Sequence, residues 1–351
     1  MCYSPTNTRV LTPGSSTITQ GGTATNPLVY VPSGAFSGGS LAINAQYVVL
    51  KGGTFNGTAL RINASNVRLT ENRIFAPHNG QAINIASQAR NVRIDRNIID
   101  AGNSTEGEDI EIDIADGATN PYYHRIDHNL FTGGAPGDDG GLNIYLGLVN
   151  KQRESLSRTL VEKNYIDASG RKYGFYVKSM ENVIENNVIT GGESRTGVRH
   201  GGRNIFFQNH LKGNTGLFTF DTDNYFVSNI LDDTRQGFWI GSGDCTFSAG
   251  DCLPGAGEAN HPNAVRTKAW GNKFVDFNHF RLGYLEFKLE GGRAQRCPEG
   301  VDLEGNSRGI IGVEGCATPV PQSFNTNVSP QVVNLSKAQV GPSGEADYLC
   351  Q

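Results

Sequence analysis

Apolar and polar residues alternate along most of this chain in short runs, the period of two that a half-buried β-strand requires. Seven segments share one pattern: NVRLTENRI from Asn66, NVRIDRNII from Asn91, HRIDHNLF from His124, TLVEKNYI from Thr159, NVIENNVI from Asn182, NIFFQNHL from Asn204 and NYFVSNIL from Asn224. Each reads as a brief strand that ends in Asn and resumes with apolar residues. The recurring asparagines are Asn72, Asn97, Asn129, Asn164, Asn187, Asn209, Asn229 and Asn272, spaced 25, 32, 35, 23, 22, 20 and 43 residues apart. A base period slightly above 20 with insertions on some turns predicts an all-β chain, a single-stranded right-handed parallel β-helix or β-solenoid. Asparagine at a repeated turn tolerates a left-handed backbone and can bond its amide to the Asn of the next coil, so these residues read as structural.

A second strand per coil lies between the Asn turns: AINIAS at Ala82, DIEIDIA at Asp109, LNIYLG at Leu142, GFYVKS at Gly174, TGVRHG at Thr196, LFTFD at Leu217 and GFWIGS at Gly237. Ile83/Ile85, Ile112/Ile114, Ile144/Leu146, Phe175/Val177, Val198 and Phe238/Ile240 are predicted to face inward. One outward column then reads Asn84, Glu111, Asn143, Tyr176, Gly197, Phe218, Trp239. Its neighbour reads Ala86, Asp113, Tyr145, Lys178, Arg199, Phe220, Gly241. Coils are about 4.8 Å apart, so Lys178 and Arg199 are expected to stack on an exposed sheet, flanked by Tyr145 and Phe220. The whole of 1–351 reads as one domain, with a Cys-containing insertion near 232–262 and an irregular C-terminal cap from about Cys297.

Composition agrees. The 351 residues include 45 Gly and 33 Asn, poor residues for helix interiors, and the net charge of only -4 with recurrent β-branched residues argues against disorder. No apolar run reaches the roughly 20 residues that a transmembrane helix needs. The six cysteines, Cys2, Cys245, Cys252, Cys297, Cys316 and Cys350, show no zinc spacing; their even number predicts disulfides and a secreted, periplasmic or outer-surface protein. Cys2 also stands where a lipoprotein would be acylated. A reduced set of buried thiols is the alternative.

Charge singles out one region. From Arg171 to Lys212 there are seven basic residues (Arg171, Lys172, Lys178, Arg195, Arg199, Arg203, Lys212) against three acidic ones, +4 within a chain of -4. Two cations one coil apart repel unless an anion sits between them, and a local strip on an acidic protein suits an anionic polymer better than nucleic acid. Tyr145, Tyr176, Phe218, Phe220 and Trp239 beside the strip suit sugar rings, or form an external packing ladder. A solvated charged face is the bland alternative.

VKS at Val177–Ser179 paired with RHG at Arg199–Gly201 resembles polysaccharide lyase family 6, the alginate lyases and chondroitinase B. RIDHNLF at Arg125–Phe131, VEKNYID at Val161–Asp167 and DGGLNIYLG at Asp139–Gly147 are similar to further family segments, and the resemblance covers roughly residues 40 to 230. It implies a uronate-polymer lyase, alginate first, with Lys178 as Brønsted base and Arg199 on the acid side of a β-elimination. The chemistry is consistent. The C5 proton beside the carboxylate is weakly acidic until that charge is neutralised, and a lysine acts as base when a neighbouring cation lowers its pKa. Arginine stays protonated, so Arg199 suits carboxylate binding, and Tyr145 or Tyr176 suits protonation of the leaving oxygen.

The family's calcium-binding glutamates fall on Arg171 and Tyr173 here, and a third ligand on Asp139, so no cofactor is expected at the usual site; Glu111, Asp113 and Asn143 stand as an alternative calcium set. Arg171, Lys172 or His200 would supply positive charge instead. His200 can turn outward to substrate if the strand ends at Arg199, and Arg203 and Trp239 complete the expected substrate contacts. His78, His124, His128, His210, His261 and His279 suggest no metal site. An anionic polysaccharide is the predicted partner, for a monomer without nucleic acid. Two alternatives stand beside the lyase: a glycoside hydrolase using Glu111/Asp113 or Asp138/Asp139, and a non-catalytic glycan-binding β-helix.

Overall fold

The alternating segments form strands that stack into a right-handed parallel β-helix. The computed structural model describes residues 7–77, 80–100, 107–133, 142–147, 154–169, 173–191, 195–213, 216–234, 237–243, 261–275, 280–284, 295–308, 310–313, 315–316, 322–325, 327–331 and 335–341. Among these, three parallel sheets of 11, 10 and 12 strands run the length of the molecule, with a two-stranded sheet at the C-terminal end. One coil is a strand of sheet 1 (Arg93–Asp95), a tight corner, a strand of sheet 2 (Ile98–Asp100), a longer connection, and a strand of sheet 3 (Ile110–Ile112).

Inward residues build one continuous core. Leu69, Ile94, Ile126, Val161, Ile184 and Phe206 stack inside sheet 1, and Ile85, Ile112, Leu146, Val177 and Val198 inside sheet 3, all buried. Each such side chain contributes about 1.5–3 kcal/mol by leaving water. Towards the C-terminus the core turns aromatic, with Phe206 stacked on Phe226 at 4.9 Å and Phe226 against Phe238 at 4.6 Å.

The corner between sheets 1 and 2 is built on the recurring asparagines. The backbone N–H and side-chain Nδ2 of Asn129 both donate to Oδ1 of Asn164, at 2.9 and 3.0 Å, and Asn164 repeats this on Asn187 at 3.0 Å. The ladder runs unbroken from Asn72 to Asn306, one coil beyond the reach of the sequence pattern. The left-handed residue is the one before each Asn: Glu71, Arg96, His128, Lys163, Asn186, Gln208 and Ser228 have φ between 53 and 57 except Lys163 at 51. That corrects the expectation of left-handed asparagines. The preceding residue absorbs the bend, which leaves the Asn amide aligned with the helix axis and saturated by neighbouring coils. A shorter ladder, Asn182 to Asn204 to Asn224, marks the corner between sheets 3 and 1.

Outside sheet 1, Arg68 makes a bidentate pair with Asp95 at 2.7 Å and Arg93 with Asp127 at 2.9 and 2.8 Å, all four buried. Coil stacking also continues past Cys297. Leu303 is in the core, Asn306 carries the ladder, and Ile310–Val313 adds a strand to sheet 3, so the irregular cap expected from Cys297 begins later. Phe238–Gly241 is likewise a regular strand of sheet 3 inside the stretch expected to be inserted, while 244–260, with Cys245 and Cys252, lies outside the described residues. Cys297 and Cys316 form a disulfide; Cys2 and Cys350 are outside the described residues.

Candidate active site

Sheet 3 carries the basic strip on its outer face. Val177 and Val198 point inward and pair in register, which sends Lys178 and Arg199 outward from adjacent strands, Tyr173–Lys178 and Arg195–His200. The register then shifts, so that Lys178 pairs with His200 and Arg199 is the extra residue of a bulge. Bulges re-aim side chains, and this one does so at the predicted site. Glycines make the close packing possible: a Cβ on Gly197 would stand 1.9 Å from the Phe218 carbonyl oxygen, and one on Gly201 2.2 Å from that of Ser179.

Lys178 Nζ lies 5.2 Å from the centre of the Tyr145 ring and 5.6 Å from that of Tyr176, and Arg199 Cζ lies 5.5 Å from the same Tyr176 ring. Two cations on adjacent coils thus flank one tyrosine. The aromatic columns close around them: Tyr173 to Tyr176 4.6 Å, Tyr145 to Tyr176 5.5 Å, Tyr176 to Phe218 5.8 Å. The face was expected to be exposed, yet Lys178 is 2% and Arg199 4% exposed. Outward rings in neighbouring columns pack on one another and wrap the cations. His200 is fully buried, and the strand runs through it; the bulge, not an early strand end, sets its position.

Tyr145 sits two residues from its expected register. It pairs with Glu111 and Tyr176, because Ile144 aligns with Ile110 and Asn143 donates to Asp109 at 2.7 Å. Trp239 follows Phe218 in the same column, with Arg281 Cζ 5.3 Å from its ring. Arg203 does not join the cluster. It sits at the left-handed corner between sheets 3 and 1 and pairs with Glu181 at 2.8 Å, which also takes Arg158 at 2.6 Å. Arg171, Lys172, Asp138 and Asp139 lie outside the described residues. Glu111 accepts hydrogen bonds from Asn84 at 2.7 Å and Gln81 at 3.1 Å, across one coil. Burial first, then Glu108 nearby, pushes its carboxyl above the usual range. The two hydrogen bonds make Glu111 a coil-to-coil staple.

The family model described as Chondroitinase B matches residues 55–284, more than half of the chain and all of this strip. The chain belongs to that family of polysaccharide lyases. No curated protein matches it. Among solved structures, a PL6 alginate lyase in complex with a trisaccharide superposes on 90% of this lyase and 78% of its own chain, with TM-score 0.73 and 15% identity. A mannuronic acid specific family 6 lyase from human gut microbiota gives TM-score 0.66 at 18% identity, over 91% and 76%. A PL6 family polysaccharide lyase from Pseudopedobacter saltans gives 0.70 at 14%, over 97% and 95%. At these identities the likeness concerns the fold.

Of the three positions where the resemblance puts the family's calcium ligands, only Tyr173 lies among the described residues. Tyr173 packs its ring on Tyr176, and a phenol offers no carboxylate for a hard cation. No group of three or more His, Cys, Asp or Glu is placed to hold a metal among the described residues. The structure does bring in one residue that the sequence pattern missed. His261 is 5% exposed, accepts a hydrogen bond from Arg199 Nε at its Nε2 (2.9 Å), and its ring lies 5.3 Å from that of His200, tilted, and 5.4 Å from that of Phe220, edge-to-face. It belongs to no repeat, and its distance in sequence from Arg199, 62 residues, hides it.

Proposed function

We propose that this lyase cleaves alginate by β-elimination without calcium, with Lys178 as base, Arg199 holding the uronate carboxylate, and Tyr176 or Tyr145 protonating the leaving oxygen. The observation that supports it is the arrangement of Lys178 and Arg199 around Tyr176, at 5.6 and 5.5 Å from one ring. Arg199 neutralises the carboxylate at C6, which acidifies the adjacent C5–H. Lys178 takes that proton, the C–H electron pair becomes the C4–C5 double bond, the C4–O4 bond breaks, and a tyrosine hydroxyl gives O4 its proton. As the base, Lys178 has to meet the C5–H in its neutral form. Trp239, His200, Arg171 and Lys172 remain the proposed substrate contacts; Arg203, occupied by Glu181, is not among them. Both cations are almost wholly covered, so this reading requires the site to open before a polymer can reach them.

The Cys297–Cys316 disulfide supports export, and no helix among the described residues is long and apolar enough to cross a membrane. The proposal is of a secreted or surface monomer acting on an anionic polysaccharide.

The test is incubation with alginate, dermatan sulfate and pectate while near-ultraviolet absorbance is followed. Unsaturated ends appear with alginate, persist in chelator, and fall at least about 100-fold in Lys178→Ala. Reducing ends without unsaturation, or full activity in Lys178→Ala, would overturn the assignment.

A further inference from the structure

We infer that His261 is a positioning residue for Arg199, holding the guanidinium edge so that its terminal nitrogens meet the substrate carboxylate; this rests on the reading of Arg199 as the carboxylate contact. An arginine Nε–H can only donate. At 2.9 Å the His261 Nε2 is therefore the acceptor, which places the ring proton on Nδ1 and fixes one tautomer. Nε can no longer serve the side-on fork with a carboxylate, so the approach that does not compete with His261 is end-on, through the two terminal nitrogens.

The histidine is itself firmly placed. A Cβ on Gly243 would lie 1.9 Å from the His261 carbonyl oxygen, so the two backbones touch there. Two residues on, Asn263 donates to the Cys297 carbonyl at 2.6 Å, and Ala264 N–H donates to the Gly241 carbonyl at 3.0 Å. The ring is wedged edge-to-face against Phe220, which in turn covers Gly241, where a Cβ would meet it at 2.1 Å. Arg199 stands at a bulge, where the ladder by itself fixes a side chain less well, and a partner from a different segment supplies what the strand lacks. A buried arginine turned away by even about 1 Å loses its grip on a developing charge, a misplacement of the size that costs about 100-fold.

The experiment measures kcat and KM on alginate for the full chain carrying His261→Leu, His261→Gln, Arg199→Lys and the His261→Leu/Arg199→Lys pair. His261→Leu is expected to lower kcat by about 10- to 100-fold with a smaller change in KM, and His261→Gln, whose amide oxygen can accept from Nε, to restore most of it. In the Arg199→Lys background, which has no Nε, His261→Leu is expected to cost nothing further. Equal losses in both backgrounds, or wild-type rates in His261→Leu, would overturn the inference. A second readout does not need turnover. The Arg199 Nε–H signal in nitrogen-resolved NMR is expected to exchange slowly in the wild type and His261→Gln, and quickly in His261→Leu. If no polymer gives unsaturated ends, the lyase reading fails while this signal still decides whether His261 holds Arg199. A fast-exchanging Nε–H in the wild type would overturn the positioning role outright.

Discussion

His124 is fully buried at the start of a sheet 1 strand, where Nδ1 accepts the Val92 N–H at 3.2 Å and the ring lies 5.6 Å from that of Tyr122. Burial, and then the positive charge of Arg90, lower its pKa from 6.5 to about 3. The folded state therefore holds it neutral while the unfolded chain binds a proton below about 6.5. Its contribution is complete above that pH and is lost as pH falls from 6.5 through 3, a swing on the order of 5 kcal/mol. Glu111 and Glu185, both pushed up mainly by burial, act in the opposite sense, favouring the fold at low pH. His124→Gln, which keeps an acceptor for Val92, should flatten the fall in urea midpoint between pH 6.5 and 4.5; an unchanged slope would discount the histidine. At this scale the sequence is legible where alternation rules. Lys178 and Arg199 follow from alternation, each one residue past an inward valine, Val177 and Val198. His261 does not, because its role comes from a contact across 62 residues that no local period encodes.

At the scale of the element, the corner between sheets 1 and 2 is the unit that repeats. Asn164 Oδ1 accepts both donors of Asn129, and its own Nδ2 donates to the carbonyls of Ile126 at 2.9 Å and Glu162 at 3.0 Å. Asn164→Ala orphans several buried groups at about 1–3 kcal/mol each, so a loss of roughly 3–5 kcal/mol is expected in chemical unfolding. The half-buried Asn63, whose side chain donates to Asn44 at 2.7 Å, should cost under about 1 kcal/mol when changed to Ala. Comparable losses at the two positions would argue against the ladder as the stabilising element. The asparagine spacing revealed these corners, but not which residue bends. The left-handed position holds Glu, Arg, His, Lys, Asn, Gln and Ser in turn, so no residue type announces it. The ion pairs outside sheet 1 were equally silent, since Arg-Ile-Asp on a strand reads as an ordinary wet face until the next coil places Arg93 on Asp127.

For the molecule as a whole, stacked coils touch only their neighbours, and long-range coupling has to come from elsewhere. The C-terminal segment provides some. Leu335 and Val340 pack on Val188, Lys337 pairs with Asp167 at 2.6 Å, and Gly341 N–H donates to the His128 carbonyl at 2.9 Å, so one short stretch ties three successive coils along sheet 2. A chain ending at residue 334 should melt several degrees lower, with faster amide exchange in those coils than in the N-terminal ones. Uniform loss of protection would instead point to a general effect. The segment lies within the cap predicted from about Cys297, but composition marks a Gly- and Pro-rich tail without saying where it returns.

The corners of the coil are not equal. Between sheets 1 and 2 the link is always two residues, from Glu71–Asn72 through Gly271–Asn272. The two links that border sheet 3 vary freely, from Lys178 to Val183 on one coil to Gly241 to Lys268 on another. One edge of the solenoid thus acts as a fixed spine, and all the freedom to lengthen or shorten sits beside Lys178 and Arg199. Insertions can therefore change what surrounds these two cations without disturbing the stacking order, and the link from Gly241 to Lys268 is the one that brings His261 to Arg199.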